Sequence, residues 1–240
     1  PRRSGIRAPE TREWILGALY LPVFLFFLNF AILTYFPALG FPLTEPRNYF
    51  FANLLYMTVN FAVMLLIFRR TLWQSLREFE GKMLLSVLIG FGMCYGANLV
   101  LTTAYTVLDI MPENYNQEAV NSLLGGYPLA MTLCTVVLAP LAEECLFRGV
   151  LFAPLARRCL PAAYALSMFL FAGMHVFQFL GSMTAANTIL CLSLYLPASF
   201  SLCWVYQKTG NIWACIFLHM FINFQSVLAS LLRSLMQAFL

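Results

Sequence analysis

The chain has 240 residues, of which 61% are apolar and only 10% charged, with a net charge of +4 and a mean hydropathy of +0.79. A soluble domain carries about 25% charged residues, so this chain lacks the polar atoms to cover a water-facing surface and reads as an integral membrane protein. The positive charge is not a nucleic-acid signal, because the basic residues lie in the short segments between apolar runs, where membrane topology places them.

Crossing a bilayer takes about 20 apolar residues. Seven stretches qualify: Trp14 to Phe36, Tyr49 to Phe68, Met83 to Ile110, Pro128 to Ala156, Leu160 to Phe179, Met183 to Tyr206, and Ile212 to Leu232. The faintest boundary is Leu180-Gly181-Ser182, between the fifth and sixth. Several runs exceed the required length, which leaves room for tilt, kinks or an eighth, partial span. Backbone groups in lipid must be satisfied internally, and these runs are far too long for barrel strands. The expected fold is therefore all-α, a polytopic transmembrane helical bundle, and residues 1–240 read as a single integral membrane domain without repeats or soluble appendages.

Eleven of the 14 Lys and Arg residues fall on one side of the predicted spans: Arg2, Arg3, Arg7, Arg12, Arg69, Arg70, Arg77, Lys82, Arg157, Arg158 and Lys208. The other side has Arg47 alone, and Arg148 and Arg233 lie within spans. This bias places the N-terminus in the cytoplasm and, with seven spans, the C-terminus outside. The connector Arg69 to Lys82 sets Leu72, Trp73, Leu76 and Phe79 on one helical face, as in a helix lying in the membrane interface; a plain solvated connector is the alternative. Met111 to Tyr127 holds Glu113 and Glu118 but no basic residue, as an outside loop should. Gly92 and Gly96, four apart, predict a close helix approach. The seven cysteines sit in or beside apolar runs with no CxxC pair, and read as small packing residues.

Three spans carry polar residues where lipid would demand apolar ones. Glu143, Glu144 and Arg148 lie in the middle of the fourth, at a cost of several kcal/mol unless they are paired or face a cavity. Glu144 and Arg148 share a face at four-residue spacing, in the order that favours an ion pair. Glu143 points about 100° away, free for chemistry. Pro140 removes a backbone donor just before them and predicts a kink. His175 follows Phe171 by four residues in the fifth span, with Gly173 allowing a close approach. His219 precedes Asn223 by four in the seventh, so both point to one face. These are the only two histidines in the chain. At about 1.5 Å per residue, Glu143, His175 and His219 can share a layer near mid-membrane.

A carboxylate in a partly desolvated cavity is a good general base for water, and a histidine can hold that water or shuttle its proton. A second histidine with an asparagine supplies donors for the oxyanion of a tetrahedral intermediate. The set suits amide hydrolysis. The same Glu143, His175 and His219 could instead hold zinc, three protein ligands plus water being an ordinary catalytic site, and the sequence leaves both versions open. Other intramembrane chemistries are excluded: there is no HExxH, the single aspartate (Asp109) rules out an aspartyl dyad, and no G-x-S-x-G turn presents a serine.

Glu143-Glu144-x-x-x-Arg148, Phe171-x-x-x-His175 and His219-x-x-x-Asn223 together resemble the three-motif pattern of the CPBP intramembrane proteases, the family of the CAAX prenyl endopeptidase and the bacteriocin-processing and abortive-infection membrane proteins. The motif region spans residues 128–225. The resemblance implies an intramembrane catalytic cavity open toward the cytoplasm. It assigns Glu143 and His175 to water activation, His219 and Asn223 to the oxyanion, and Glu144 and Arg148 to support. It implies an endopeptidase acting on a membrane-associated peptide or a prenylated (CAAX-type) protein, with either a zinc cofactor or a metal-free mechanism. The expected partners are membrane lipid and that substrate, with no nucleic acid and no signal of oligomeric state. The absence of a long soluble extension points to a compact prokaryotic member in the plasma membrane. A non-catalytic scaffold or immunity protein of the same fold is the alternative, and a transporter using the charged fourth span a more distant one.

Overall fold

A computed structural model describes residues 6–238. In chain order the helices are α1 (Thr11–Ala38), α2 (Pro46–Ile67), α3 (Arg69–Arg77), α4 (Met83–Val107), α5 (Tyr115–Gly126), α6 (Pro128–Ala156), α7 (Leu160–Ser182), α8 (Ala185–Thr209) and α9 (Ile212–Ala238). All but α3 and α5 are long and apolar enough to cross a membrane, seven in total, and the described residues contain no strand. The predicted spans coincide with these helices to within about a turn at nearly every end, and the fourth matches at both. Arg2 and Arg3, counted in the charge bias, lie outside the described residues.

The centre of the bundle is α6. It is the most buried of the seven spans, and every residue from Pro140 to Val150 is buried. Around it pack α1, α2, α7 and α9, while α8 joins α7, α4 and α9. Its burial is what lets α6 carry charged groups, since neighbouring helices rather than lipid surround them. The helix runs through Pro140, with wide π turns over Cys134–Leu138, just before it, and Cys145–Phe152, just after the glutamates. Wide turns of this kind absorb a missing backbone donor without ending the helix.

Local polar chemistry fixes the ends. Gly210 closes α8 in the left-handed conformation (φ 62°) and donates to the Tyr206 carbonyl at 2.8 Å, the glycine helix stop. Asn211 then caps α9, its side-chain oxygen accepting from the Trp213 and Ala214 amides at 2.9 and 3.3 Å. At the end of α7, residues Phe177–Ser182 tighten into a 3₁₀ turn and Met183 is extended, which resolves the faint Leu180-Gly181-Ser182 boundary as a true break. No eighth span is present among the described residues.

Four sequence expectations are refined. The connector after α2 forms a helix, with Leu72 buried against the bundle and Trp73 and Leu76 exposed on the protein surface. The inward stripe is Leu72 with Ser75, because α9 begins there. Asn211 donates to the Ser75 carbonyl (2.6 Å), the Ile212 amide to Ser75 Oγ (3.0 Å) and the Trp213 indole to the Leu72 carbonyl (2.8 Å). The connector Met111 to Tyr127 contains a helix, α5, capped by Asn114, whose side chain accepts from the Gln117 amide at 3.1 Å. Gly92 and Gly96 face open space, and the close approach is instead at Gly90, where an added Cβ would meet Val205 at 2.7 Å and Leu218 at 2.8 Å. Gly173 makes room for the Phe177 ring of its own helix, which an added Cβ would strike.

Candidate active site

The polar residues singled out on α6 separate into two environments. Glu144 and Arg148 are wholly buried. Arg148 Nε lies 3.2 Å from Glu144 Oε2 and Nη1 donates to Oε1 at 3.2 Å. Its Nη2 reaches across to α8, donating to the carbonyl and hydroxyl of Ser199 at 3.1 and 3.2 Å. The guanidinium also stands 4.9 Å from the Phe171 ring centroid, a cation–π contact that tolerates burial of the charge. A buried pair is held in place only when its remaining donors and acceptors are also satisfied, and Ser199 with Phe171 meets much of that need.

Glu144 has one further partner, and it comes from α9: His219 Nδ1 lies 2.8 Å from Glu144 Oε1. With Nδ1 held by a carboxylate, the opposite ring nitrogen is the one left to do chemistry. That nitrogen, Nε2, is 3.8 Å from Glu143 Oε2. Glu143 is only 9% exposed, makes no side-chain hydrogen bond among the described residues, and its Oε2 is buried without a partner. The expectation that one glutamate is neutralised while its neighbour stays free matches this geometry.

His175 on α7 is half-buried. Its Nδ1 lies 2.9 Å from the Phe171 carbonyl one turn back, so Nδ1 donates there and Nε2 is left unengaged. Phe171 links the two histidines, with ring centroids 4.9 Å from His175 and 5.6 Å from His219. No ion-pair contact joins His175 to Glu143 among the described residues; the imidazole brought against Glu143 is that of His219. Asn223, one turn beyond His219, donates to the Thr135 carbonyl of α6 at 2.8 Å. His219 and Asn223 therefore do share a face, and the face is turned to α6.

A zinc centre needs three protein donors turned to one point. Among the described residues no three His, Cys, Asp or Glu side chains are so grouped. In both histidines Nδ1 is engaged, by the Phe171 carbonyl or by Glu144, and Nε2 is the nitrogen left open.

Two contributors escaped sequence reasoning, and the contacts of a third were not legible in it. Ser199, on α8, completes the Arg148 shell. Phe171 was visible only as a motif position, yet its ring touches Arg148, His175 and His219. Tyr195, also on α8, stacks on His175 with ring centroids 4.5 Å apart and planes 20° from parallel. All three act across helix interfaces, and no spacing along one helix announces such a contact.

Residues 125–225 match the family model described as Type II CAAX prenyl endopeptidase Rce1-like. Over 166 residues the chain is 28% identical to the Bacillus subtilis (strain 168) protein named "Putative membrane peptidase YdiL", a stretch covering 67% of this chain and 64% of that protein. The chain thus spans somewhat less than two thirds of that relative's length. No solved structure matches. Both similarities support the resemblance to the CPBP family that the three motifs carry, and the matched segment encloses all three. Together with the seven apolar helices they mark an integral, multi-pass membrane protein.

Proposed function

We propose that the protein is an intramembrane endopeptidase of prokaryotic plasma membranes that hydrolyses a peptide bond in a membrane-associated or prenylated, CAAX-type substrate. The observation that carries this reading is the pair of adjacent glutamates in opposite states of engagement. Glu144 is consumed by Arg148 and His219, whereas Glu143 has a buried, unpartnered carboxylate oxygen 3.8 Å from an imidazole nitrogen. A free carboxylate in a water-poor site is the group that general-base hydrolysis requires.

In this mechanism Glu143 takes a proton from water and the resulting oxygen nucleophile adds to the substrate carbonyl. His175, through its unengaged Nε2, orients that water. The oxyanion forms on the side of α9. There the second N–H of the Asn223 amide, whose first is committed to Thr135, donates to it beside the His219 ring. Collapse of the intermediate expels the amine, which takes the proton back from Glu143, so the carboxylate is regenerated and one water is consumed per bond cleaved. Arg148 balances Glu144, and Glu144 fixes the ring of His219.

The test is incubation of purified protein in proteoliposomes with a farnesylated CAAX reporter peptide and, separately, a non-prenylated membrane peptide, with products read by mass spectrometry. Release of a carboxyl-terminal fragment from either is expected, and preference for the farnesylated one supports the prenyl-substrate reading. No product from either peptide contradicts the proposal. Parallel assays with a chelator, and metal analysis of the purified protein, decide whether a metal takes part.

A further inference from the structure

Tyr195 lies near the middle of α8, and its hydroxyl is spoken for on both sides. It donates to the Asn114 side-chain oxygen at 3.0 Å and accepts from the Asn116 amide at 3.1 Å. Both asparagines belong to the start of α5, and Asn114 is the residue that caps it. This is the end of a longer polar seam between α5 and α8. Asn187, one turn into α8, accepts from the Glu113 amide (2.9 Å) and donates to the Glu113 carbonyl (3.0 Å), and Cys191 Sγ approaches the same carbonyl at 3.2 Å. Residues 187, 191 and 195 follow each other at four-residue spacing, one stripe of a helix.

The far side of Tyr195 is the His175 imidazole, stacked flat on it. The hydroxyl anchors the phenol ring, and the ring lies against the imidazole. Rotation of His175 about its ring axis would break the bond from Nδ1 to the Phe171 carbonyl and drive the imidazole edge into the phenol. Offset-stacked rings resist that motion. The other anchors of α5 reach α9, the helix of His219. Ser226 donates to Gln117 at 3.2 Å and Ser230 to Asn121 at 2.8 Å. One short helix thus ties down both histidine-bearing sides of the site.

We infer that Tyr195 is a positioning residue: held by Asn114 and Asn116 of α5, it fixes the ring of His175 so that Nε2 faces the reacting water. The inference rests on the proposed peptidase reading for its kinetic consequence, but not for its structural one.

The experiment has two arms. In the first, kcat and KM for the reporter peptide are measured for wild type, Tyr195→Phe, Tyr195→Leu, Asn116→Ala and the double variant Tyr195→Phe with Asn116→Ala. A misplacement of about 1 Å at a reacting group costs on the order of 10²-fold. Tyr195→Leu is expected to lower kcat by roughly 10- to 100-fold with KM changed less than about threefold. Tyr195→Phe cuts both hydroxyl bonds and lowers kcat by a smaller factor, Asn116→Ala cuts one of them and lowers it less, and the double variant is no worse than Tyr195→Phe alone. The second arm uses protein labelled with ¹⁵N only at histidine. With two histidines in the chain, its spectrum holds two imidazoles, assigned by His219→Gln. The His175 nitrogens should report one fixed tautomer in wild type and an averaged state in Tyr195→Leu, with the His219 signals unmoved. Unchanged His175 signals in Tyr195→Leu, or a kcat within twofold of wild type, would overturn the inference. If wild type cleaves nothing, the peptidase reading fails, and the nitrogen spectrum alone decides whether Tyr195 holds His175.

Discussion

Glu144 and Arg148 differ from most buried ion pairs in that the carboxylate has a second task, holding His219 at 2.8 Å. The two tasks can be separated. Glu144→Ala leaves the Arg148 charge buried without its partner, which costs about 3–5 kcal/mol of stability. The joint replacement of Glu144 by Leu and Arg148 by Met fills similar volume with no charge, and such swaps are commonly close to neutral for stability. The double variant should therefore unfold thermally within a few degrees of wild type in detergent while losing cleavage, because His219 has lost its anchor. Recovery of cleavage in the double variant would show that Glu144 matters only as a counter-ion. The charge pairing was legible from the i,i+4 spacing; the His219 contact, 75 residues away in sequence, was not, because the spacing rules of one helix carry no record of its neighbours.

Among the helices, what the sequence revealed and what it hid divide along one physical line. Span positions follow from runs of apolar residues, a local property, and the seven long apolar helices confirm them closely. Which face of a helix is turned inward depends on its neighbours once lipid makes every face apolar. Hence Gly92 and Gly96, a promising pair on paper, face nothing, while Gly90 meets Val205 and Leu218. Gly90→Val should push α4 from α8 and α9 and destabilise the fold by about 1–3 kcal/mol, whereas Gly92→Ala should lie within about 0.5 kcal/mol of wild type; thermal unfolding of both variants in one detergent checks the contrast. Helix α3 hides a similar dependence. Its first amides are capped not by its own residues but by Glu13 of α1, which accepts from the backbone of Arg70 (3.0 Å) and Thr71 (3.2 Å) and from the Thr71 hydroxyl. Glu13 is 4% exposed. Loss of such a cap costs about 0.5–2 kcal/mol, so Glu13→Ala should lower the unfolding temperature without changing the cleavage rate at saturating substrate. The helix α5 was missed because its polar, acidic sequence suits an exposed loop, and the partners that bury its Leu123 and Leu124, Phe50, Met131 and Val227, come from three other helices.

At the scale of the whole molecule, α6 is a charged helix made tolerable by encirclement, and its encirclement is what lets three distant motifs converge. Surface ties hold the same arrangement at one end: Arg7 with Glu78, Arg70 with Glu10, and the Tyr206 hydroxyl on the Arg7 carbonyl at 2.7 Å. That end carries most of the basic residues, so the positive-inside bias predicts that it faces the cytoplasm. The chain supplies its own reporter. Of seven cysteines only Cys159 is exposed, and it follows Arg157 and Arg158 directly. A membrane-impermeant maleimide should label Cys159 in inverted membrane vesicles and not in intact cells; labelling of intact cells would reverse the orientation.

The central claim is that Glu143 is the base, and it is tested most directly by single-turnover cleavage of the farnesylated reporter with wild type and Glu143→Gln side by side. The substitution keeps the shape of the side chain and removes its basicity. General-base catalysis contributes about 10²–10⁴-fold, so the rate should fall by that factor while the unfolding temperature and peptide binding stay near those of wild type. Turnover by Glu143→Gln at an undiminished rate would contradict the account and move the base to another residue.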